Sequence, residues 1–261
     1  MEPRLLTSPQ NPLVKQFRAV LRVKQRDVFL LEGRHLLREA FRVRWPLRSI
    51  LVSRDRWSSW EAELEAASLL ERSFALTPSL LDSLSTVASP EGIIALALRQ
   101  TADWPTPDQG RSFLFLDAVQ DPVNVGTLIR SAVAFGFSAA FCGTGTADPF
   151  HPIALARSAG AALHLPLLSC TAGKFIDWAK KGGVRLFAAD AGGMSILRHS
   201  PPAGPAALAL GNEGQGLSKT LVEASDERLA IPMVDGWDSL NVAVAGGVLM
   251  HHLAAIGRGK P

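Results

Sequence analysis

Cysteine is scarce: Cys142 and Cys170 are the only two in 261 residues, far apart and in no CxxC pattern. No disulfide framework and no cysteine-based zinc site can be argued, and a reducing compartment follows. No apolar run reaches the roughly 18 residues of a membrane-spanning helix. The longest small-apolar stretch, NVAVAGGVLM at 241–250, runs straight into His251 and His252. The opening residues, MEPRLLTSPQNP, hold no apolar core of signal-peptide length. The expectation is a soluble, cytoplasmic protein that uses no metal. Nucleotide fingerprints are missing too. GNEGQG at 211–216 is spaced G-x-x-G-x-G, and GTGTAD at 143–148 has Asp148 where a third glycine belongs. Nor does GK[ST] follow. The spacing therefore disfavours a dinucleotide-binding oxidoreductase and a P-loop enzyme.

Acidic residues are absent from one further place. Between Arg4 and Arg26 there is none, while Lys15, Arg18, Arg22 and Lys24 all fall there. Residues 1–56 carry 13 Lys/Arg against 5 Asp/Glu, residues 57–110 carry 2 against 8, and residues 111–261 carry 12 against 11. The net charge of +3 thus conceals a basic first quarter beside an acidic second. A solvated helix face would explain a charge cluster blandly. The long acid-free stretch favours a polyanionic partner.

What is present is an alternation of helical and strand patterns. Leu13, Val14, Phe17, Val20 and Leu21 have helical spacing, with the bases on the other face. VFLLEG (28–33), SILVS (49–53) and EGIIALALRQ (91–100) read as strands, and RHLLREAFR (34–42) and SWEAELEAASLLER (59–72) as helices. This makes a small α/β domain over 1–100. TADWPTPDQGR (101–111), with two prolines, a glycine and no periodicity, is the linker. From 112 to 261 strands and helices alternate again. The strands, such as FLFLDAV (113–119), RLFAAD (185–190) and AALALG (206–211), are nearly continuous apolar runs, as a parallel sheet covered on both faces requires.

Three strand-to-helix turns in this second region are unusual, and such turns are where open α/β sheets bind ligands. DPVNVGTLIR (121–130) places Asn124 and Arg130 in an otherwise apolar segment. GNEGQG (211–216) frees the backbone for close approach and carries Glu213, a partner for an arginine such as Arg130. IPMVDGWDSLNVAVAGG (231–247) offers Asp238 or Ser239 as a helix cap, with Asn241 in the first turns. Each has a plainer reading, as a cap, a glycine turn or a packed core helix.

Taken together and in that order, LDAVQDPVNVGTLIRSAVAFG, LGNEGQGLS and IPMVDGWDSLNVAVA resemble the three signature motifs of the SpoU (TrmH) family of RNA 2′-O-ribose methyltransferases, in the SPOUT superfamily. The likeness covers about 112–257, and RSAGAALHLP (157–166) resembles the segment between motifs. More loosely, the stretch from Ser8 to Ala40 resembles the L30e-like substrate-binding domain that precedes the catalytic domain in many members. The resemblance implies a parallel-sheet SPOUT domain with a deep trefoil knot, a homodimer, and S-adenosylmethionine as methyl donor. It places the cofactor against the backbone at Gly211, Gly214, Gly216, Ile231, Met233 and Leu240. It gives Arg130 the central catalytic part, as base or as phosphate-holding group, with Glu213 fixing it. Asn124, Ser239 and Asn241 then position the ribose or support the loops. Arg18, Arg22, Lys24 and Arg26 become the RNA-docking surface, with Lys15 and Arg34 secondary. An rRNA substrate is favoured over tRNA, because compact tRNA-specific members often lack the extra domain. The alternative is a non-catalytic RNA-binding or ribosome-assembly protein on the same fold.

Overall fold

The computed structural model describes residues 3–22, 27–108, 111–234 and 239–254. The chain divides into two compact units, residues 1–100 with 150–163, and residues 101–149 with 164–261.

The first unit is built on a five-stranded sheet. In chain order its elements are β1 (Leu5–Leu6), α1 (Pro12–Arg22), β2 (Val28–Glu32), α2 (Arg34–Arg42), β3 (Leu47–Ser53), α3 (Glu61–Ala66), β4 (Ser73–Leu76), α4 (Pro78–Asp82) and β5 (Ile93–Leu98). The strand order is β1-β4-β3-β5-β2. Helix α1 buries Val14 and Phe17 against Leu30, Leu51, Leu76 and Ile94, so the apolar spacing read from the sequence is the packed face. The helix expected over 59–72 is broken. Ser68 takes a left-handed backbone (φ 58°), and the amides of Ser68 and Leu69 turn back to the carbonyls of Glu65 and Leu64, a helix-ending arrangement. One strand, β1, leaves no pattern in the sequence, because two residues are too few to show a period.

The segment 150–163 departs from the domain boundaries expected. It carries α6 (Pro152–Ser158) and belongs to the first unit. Phe150 packs on Phe29 with ring centroids 4.5 Å apart, and the His35 ring nitrogen Nε2 lies 3.0 Å from the Ala159 carbonyl. Apolar burial, not position in the chain, decides which unit claims it.

The second unit contains β6 (Ser112–Leu116), α5 (Pro122–Ala134), β7 (Ala139–Cys142), β8 (Leu167–Ser169), α7 (Ala172–Lys181), β9 (Arg185–Ser195), β10 (Ala206–Leu210), α8 (Lys219–Ala224), β11 (Glu227–Ala230) and α9 (Val242–Leu253). Its sheet is parallel throughout, in the order β11-β9-β10-β6-β7-β8. On one face Phe113, Phe115, Phe141 and Phe175 form an aromatic core with Trp178 against it, and Phe115 stacks on Phe175 at 4.4 Å. On the other, α9 closes on α5 and β10 at Gly246. A Cβ there would stand 2.3 Å from Leu128 and 2.6 Å from Leu210.

Phe175 has no exposed surface and sits at the centre of the aromatic core. Phe175→Ala is expected to lower the unfolding free energy by about 3–5 kcal/mol, the usual result of emptying an aromatic site in a packed core. Urea unfolding of the full chain, followed by tryptophan fluorescence, reads it directly.

Candidate active site

The three unusual turns meet. Asp121 caps α5, its carboxylate accepting from the Val123 amide at 2.8 Å, and Pro122 takes the first helical position, where no N–H is needed. Asn124 therefore lies inside the first turn of α5, and it is 94% buried. A buried amide must find partners. Its Nδ2 donates to Glu213 Oε1 at 2.9 Å, and its Oδ1 accepts from Asn241 Nδ2 at 3.0 Å. Asn241 in turn accepts with Oδ1 from the amides of Ala243 and Val244, at 2.9 and 3.3 Å. So Asn241 is the N-cap of α9. The cap expected at Asp238 or Ser239 is corrected: the helix begins at Val242, and Asn241 lies just outside it. Asp238 itself lies outside the described residues.

The direction of this chain follows from the chemistry. A carboxylate only accepts, so Asn124 must turn its NH₂ to Glu213. That leaves its carbonyl for Asn241's NH₂, and Asn241's carbonyl for the helix amides. Burial works to raise the Glu213 pKa. Hydrogen bonds from Asn124, from its own amide and from the amides of Gln120 and Asp121 outweigh that, and the group sits below the ordinary carboxylate range.

The glycine loop is held from the same side. Asn212 donates through Nδ2 to the Ala118 carbonyl at 2.9 Å and accepts from the amides of Gly214 and Gln215. The amide of Ser218 donates to Asp117 at 2.7 Å. Asn212 and Gly216 exchange backbone hydrogen bonds across the loop, at 3.0 and 2.9 Å. Gly211 is required for that closure, since a Cβ there would lie 2.2 Å from the Gly216 carbonyl carbon. Gly216, at φ 70°, supplies the left-handed turn.

Beside this junction, at the C-terminal ends of β10 and β11 and the middle of β9, lies a cleft of about 450 Å³. Of the expected residues, Gly211, Gly216, Ile231, Met233, Leu240, Glu213, Ser239 and Asn241 line it, while Gly214, Asn124 and Arg130 do not. Asn124 acts from behind, through Glu213 and Asn241. Leu210, Leu229, Ala245 and Leu249 form apolar walls. Asp190 was not foreseen. Strand β9 slips in register against β11 between Ala188 and Met194, and the slack swings Ala189, Asp190 and Ala191 to the rim. Asp190 is held there by Arg228 at 3.1 Å. The DAGG sequence after RLFAA was the available signal, a glycine pair that ends regular pairing.

Arg130 is a correction. The expected Arg130–Glu213 pair does not form; Glu213 is turned to Asn124 instead. Six residues carry Arg130 about 120° round the helix from Asn124, and it is exposed, with no ion pair or hydrogen bond among the described residues.

Among the described residues the lining carries two carboxylates, Asp190 and Glu213, and no lysine or arginine. Such a cleft repels a pyrophosphate and suits a cation or a neutral group. It suits S-adenosylmethionine. The sulfonium would find the carboxylates, the adenine would find the apolar walls, and the volume lies in the range of small-molecule sites. Among the described residues no cluster of three or more His, Cys, Asp or Glu could hold a metal.

Comparisons with known proteins agree. The SpoU rRNA Methylase family model matches residues 111–251, and a model for an MRM3-like substrate binding domain matches 11–95. The 23S rRNA (guanosine(2553)-2′-O)-methyltransferase RlmP of Bacillus subtilis is 32% identical over 253 residues, covering 95% of this chain and 98% of that protein. The crystal structure of an AdoMet-bound rRNA methyltransferase from Sinorhizobium meliloti superposes with a TM-score of 0.86 at 26% identity, covering 96% of this chain and 97% of that one. The SpoU methyltransferase AviRb from Streptomyces viridochromogenes, in complex with AdoMet, gives a TM-score of 0.81 at 26% identity over 94% and 97%. With its three motifs joined at one cleft and more than half its length matched, the chain belongs to the SpoU rRNA methylase family.

Proposed function

We propose that the chain transfers the methyl group of S-adenosylmethionine to a ribose 2′-hydroxyl of ribosomal RNA. The observation that carries the reading is the Glu213–Asn124–Asn241 chain, which binds all three motifs to the rim of an acid-lined cleft. The rRNA preference rests on the N-terminal unit and on the names of similar proteins.

When bound, S-adenosylmethionine supplies an electrophilic methyl group on a sulfonium. The residues that would hold it are Gly211, Gly216, Ile231, Met233 and Leu240, largely through main chain, with Leu229 and Leu249 behind. The other requirement falls on this chain. A ribose hydroxyl is a poor nucleophile and must shed its proton as it attacks. Ser239 lines the cleft beside Asn241 and can orient that hydroxyl. Arg130 is assigned to the substrate phosphate, because a guanidinium is protonated at working pH and makes a poor base. Orientation by that grip is its contribution.

Arg130 is exposed and does not line the cleft of its own chain, so this assignment brings in a second copy. Val244 and Val248 lie one turn apart on α9, Leu240 lies just before that helix, and all three are exposed, at 54%, 40% and 41%. An apolar stripe beside an active cleft supports a homodimer in which each Arg130 serves the other's site. The trefoil knot and a cytoplasmic location belong to the same proposal. Among the described residues no helix is long and apolar enough to cross a membrane.

On the RNA side, Arg18 is half-buried on α1 and Arg22 ends that helix, while Lys24 and Arg26 lie outside the described residues. These four are proposed as backbone contacts.

Calorimetric titration with S-adenosylmethionine is expected to give one site per chain with micromolar affinity. Arg130→Ala should keep that affinity and lose at least about 100-fold in methyl transfer; wild-type turnover would remove Arg130 from the mechanism. Asn124→Ala leaves Glu213 and Asn241 without their shared partner, worth about 1–3 kcal/mol. It should weaken cofactor binding and lower the melting temperature together, and an unchanged titration would show the cleft to be independent of the clasp. Reversing the charge of Arg18, Arg22, Lys24 and Arg26 should weaken RNA binding steeply at low salt and little at high salt. Equal binding at both would place the RNA elsewhere.

A further inference from the structure

We infer that the first unit carries a nucleotide subsite of its own, a pocket at the β1–β4–β3 edge that takes one phosphodiester-linked unit of the substrate RNA. The inference rests on the RNA-methylating function proposed above and adds to it a specific seat for the substrate. The pocket has a volume of about 470 Å³, enough for one nucleotide.

Three features build it. The first is charge: Arg4, Arg48 and Arg72 line it, against a single lining carboxylate among the described residues, Glu71. Arg48 also meets Asp27 at 3.1 Å, and Arg72 gives Nη1 to the Leu47 carbonyl at 2.9 Å. Both guanidiniums keep further donors in their forks. The N-terminus of α1 opens on the same pocket through Asn11, Pro12 and Leu13, and no acid occupies its first turn. Its amides add to the field.

The second is an unpartnered hydroxyl. Ser49 is 96% buried, lines the pocket, and its Oγ has no hydrogen-bond partner among the described residues. A buried hydroxyl left so is costly. The strand has gone out of its way to put it there. Between Leu47 and Ser49, β3 bulges against β5, with Leu47 opposite Ala97 and Ser49 opposite Leu96. Successive residues of a regular strand point to opposite faces. At the bulge Arg48 and Ser49 line one pocket, so an anion-binding group and a group able to read a base edge stand side by side.

The third is a stacking surface. Arg4 lies over the Phe74 ring, 5.4 Å from its centroid. Aromatic rings and guanidinium planes are the surfaces on which splayed-out RNA bases stack. The phosphate then belongs to Arg48 and Arg72, the base to Phe74 and Arg4, and the hydroxyl of Ser49 to a base or sugar edge.

The test is fluorescence anisotropy of a labelled, mixed-sequence 12-nucleotide single-stranded RNA with the full chain across a salt series. Arg48→Gln should weaken binding and reduce the slope of log affinity against log salt by about 0.7, the loss of one phosphate contact. Ser49→Ala should weaken binding several-fold with the slope unchanged, which a merely electrostatic surface would not do. Thermal melting and S-adenosylmethionine titration show whether each variant is folded. Independently of any variant, 4-thiouridine RNA irradiated on the wild-type chain should cross-link to the peptide bearing Phe74. Wild-type affinity in both folded variants, with cross-links elsewhere, overturns the subsite. Adenosine 5′-monophosphate that binds there and is not displaced by RNA makes it a free-nucleotide site and also overturns it. A wild-type chain that titrates S-adenosylmethionine but binds no RNA at any salt removes the RNA function itself, and the subsite with it.

Discussion

One buried amide ties the second unit together. Asn124 stands where three loops from distant parts of the sequence must be held in register, and its two polar ends cannot be exchanged. Its NH₂ meets Glu213 and its carbonyl meets Asn241. A carboxylate at one end and a helix N-terminus at the other fix the direction of every donor between them. Replacing Glu213 or Asn241 with an apolar residue leaves one end of the buried Asn124 amide unsatisfied, and the penalty for that exceeds the net value of the bond itself. The cleft borders Glu213 and Asn241, so its shape is inherited from this chain of hydrogen bonds.

The motif residues could be read from the sequence because their polarity was out of place. Asn124 in an apolar helix and three glycines in six positions both advertise a constraint that packing alone does not explain. Strand identity in the second unit was legible for the opposite reason: runs buried on both faces are apolar without interruption. Pairings between side chains were not legible. Charge alone matches Arg130 to Glu213, whereas the structure turns Glu213 to a neutral amide because Asn124 is on its side of α5 and Arg130 is not. Asp190 was hidden by a register slip in β9, an event in the pairing of two strands that one strand's pattern cannot display. The same holds for Arg48 and Ser49, brought to one pocket by a bulge. The membership of 150–163 in the first unit is a matter of which apolar surface is nearest in space, information that periodicity lacks.

Charge divides the work between the units. Among the described residues the only charged groups lining the cleft are carboxylates, and the acid-free stretch of the sequence lies in the first unit. A chain that must hold a sulfonium and a polyanion cannot serve both with one electrostatic surface. Bases at the cleft would repel the sulfonium, and acids under the RNA backbone would repel phosphate. The two requirements fall on separate units of the chain.

Arg130 is then the exception that needs an explanation: a cation belonging to the acidic unit, exposed, and apart from the cleft of its own chain. If it lined that cleft, it would pair with Glu213 and cancel the field that suits a sulfonium. Held on another side of α5, it leaves that field intact and, in the role proposed for it, keeps its full charge for an incoming phosphate. In the proposed homodimer, two copies meeting along the exposed Leu240, Val244 and Val248 would bring each arginine to the other's cleft. On this reasoning the exposure of Arg130 is a condition of its use, and the proposed homodimer is part of the active site as well as of its stability.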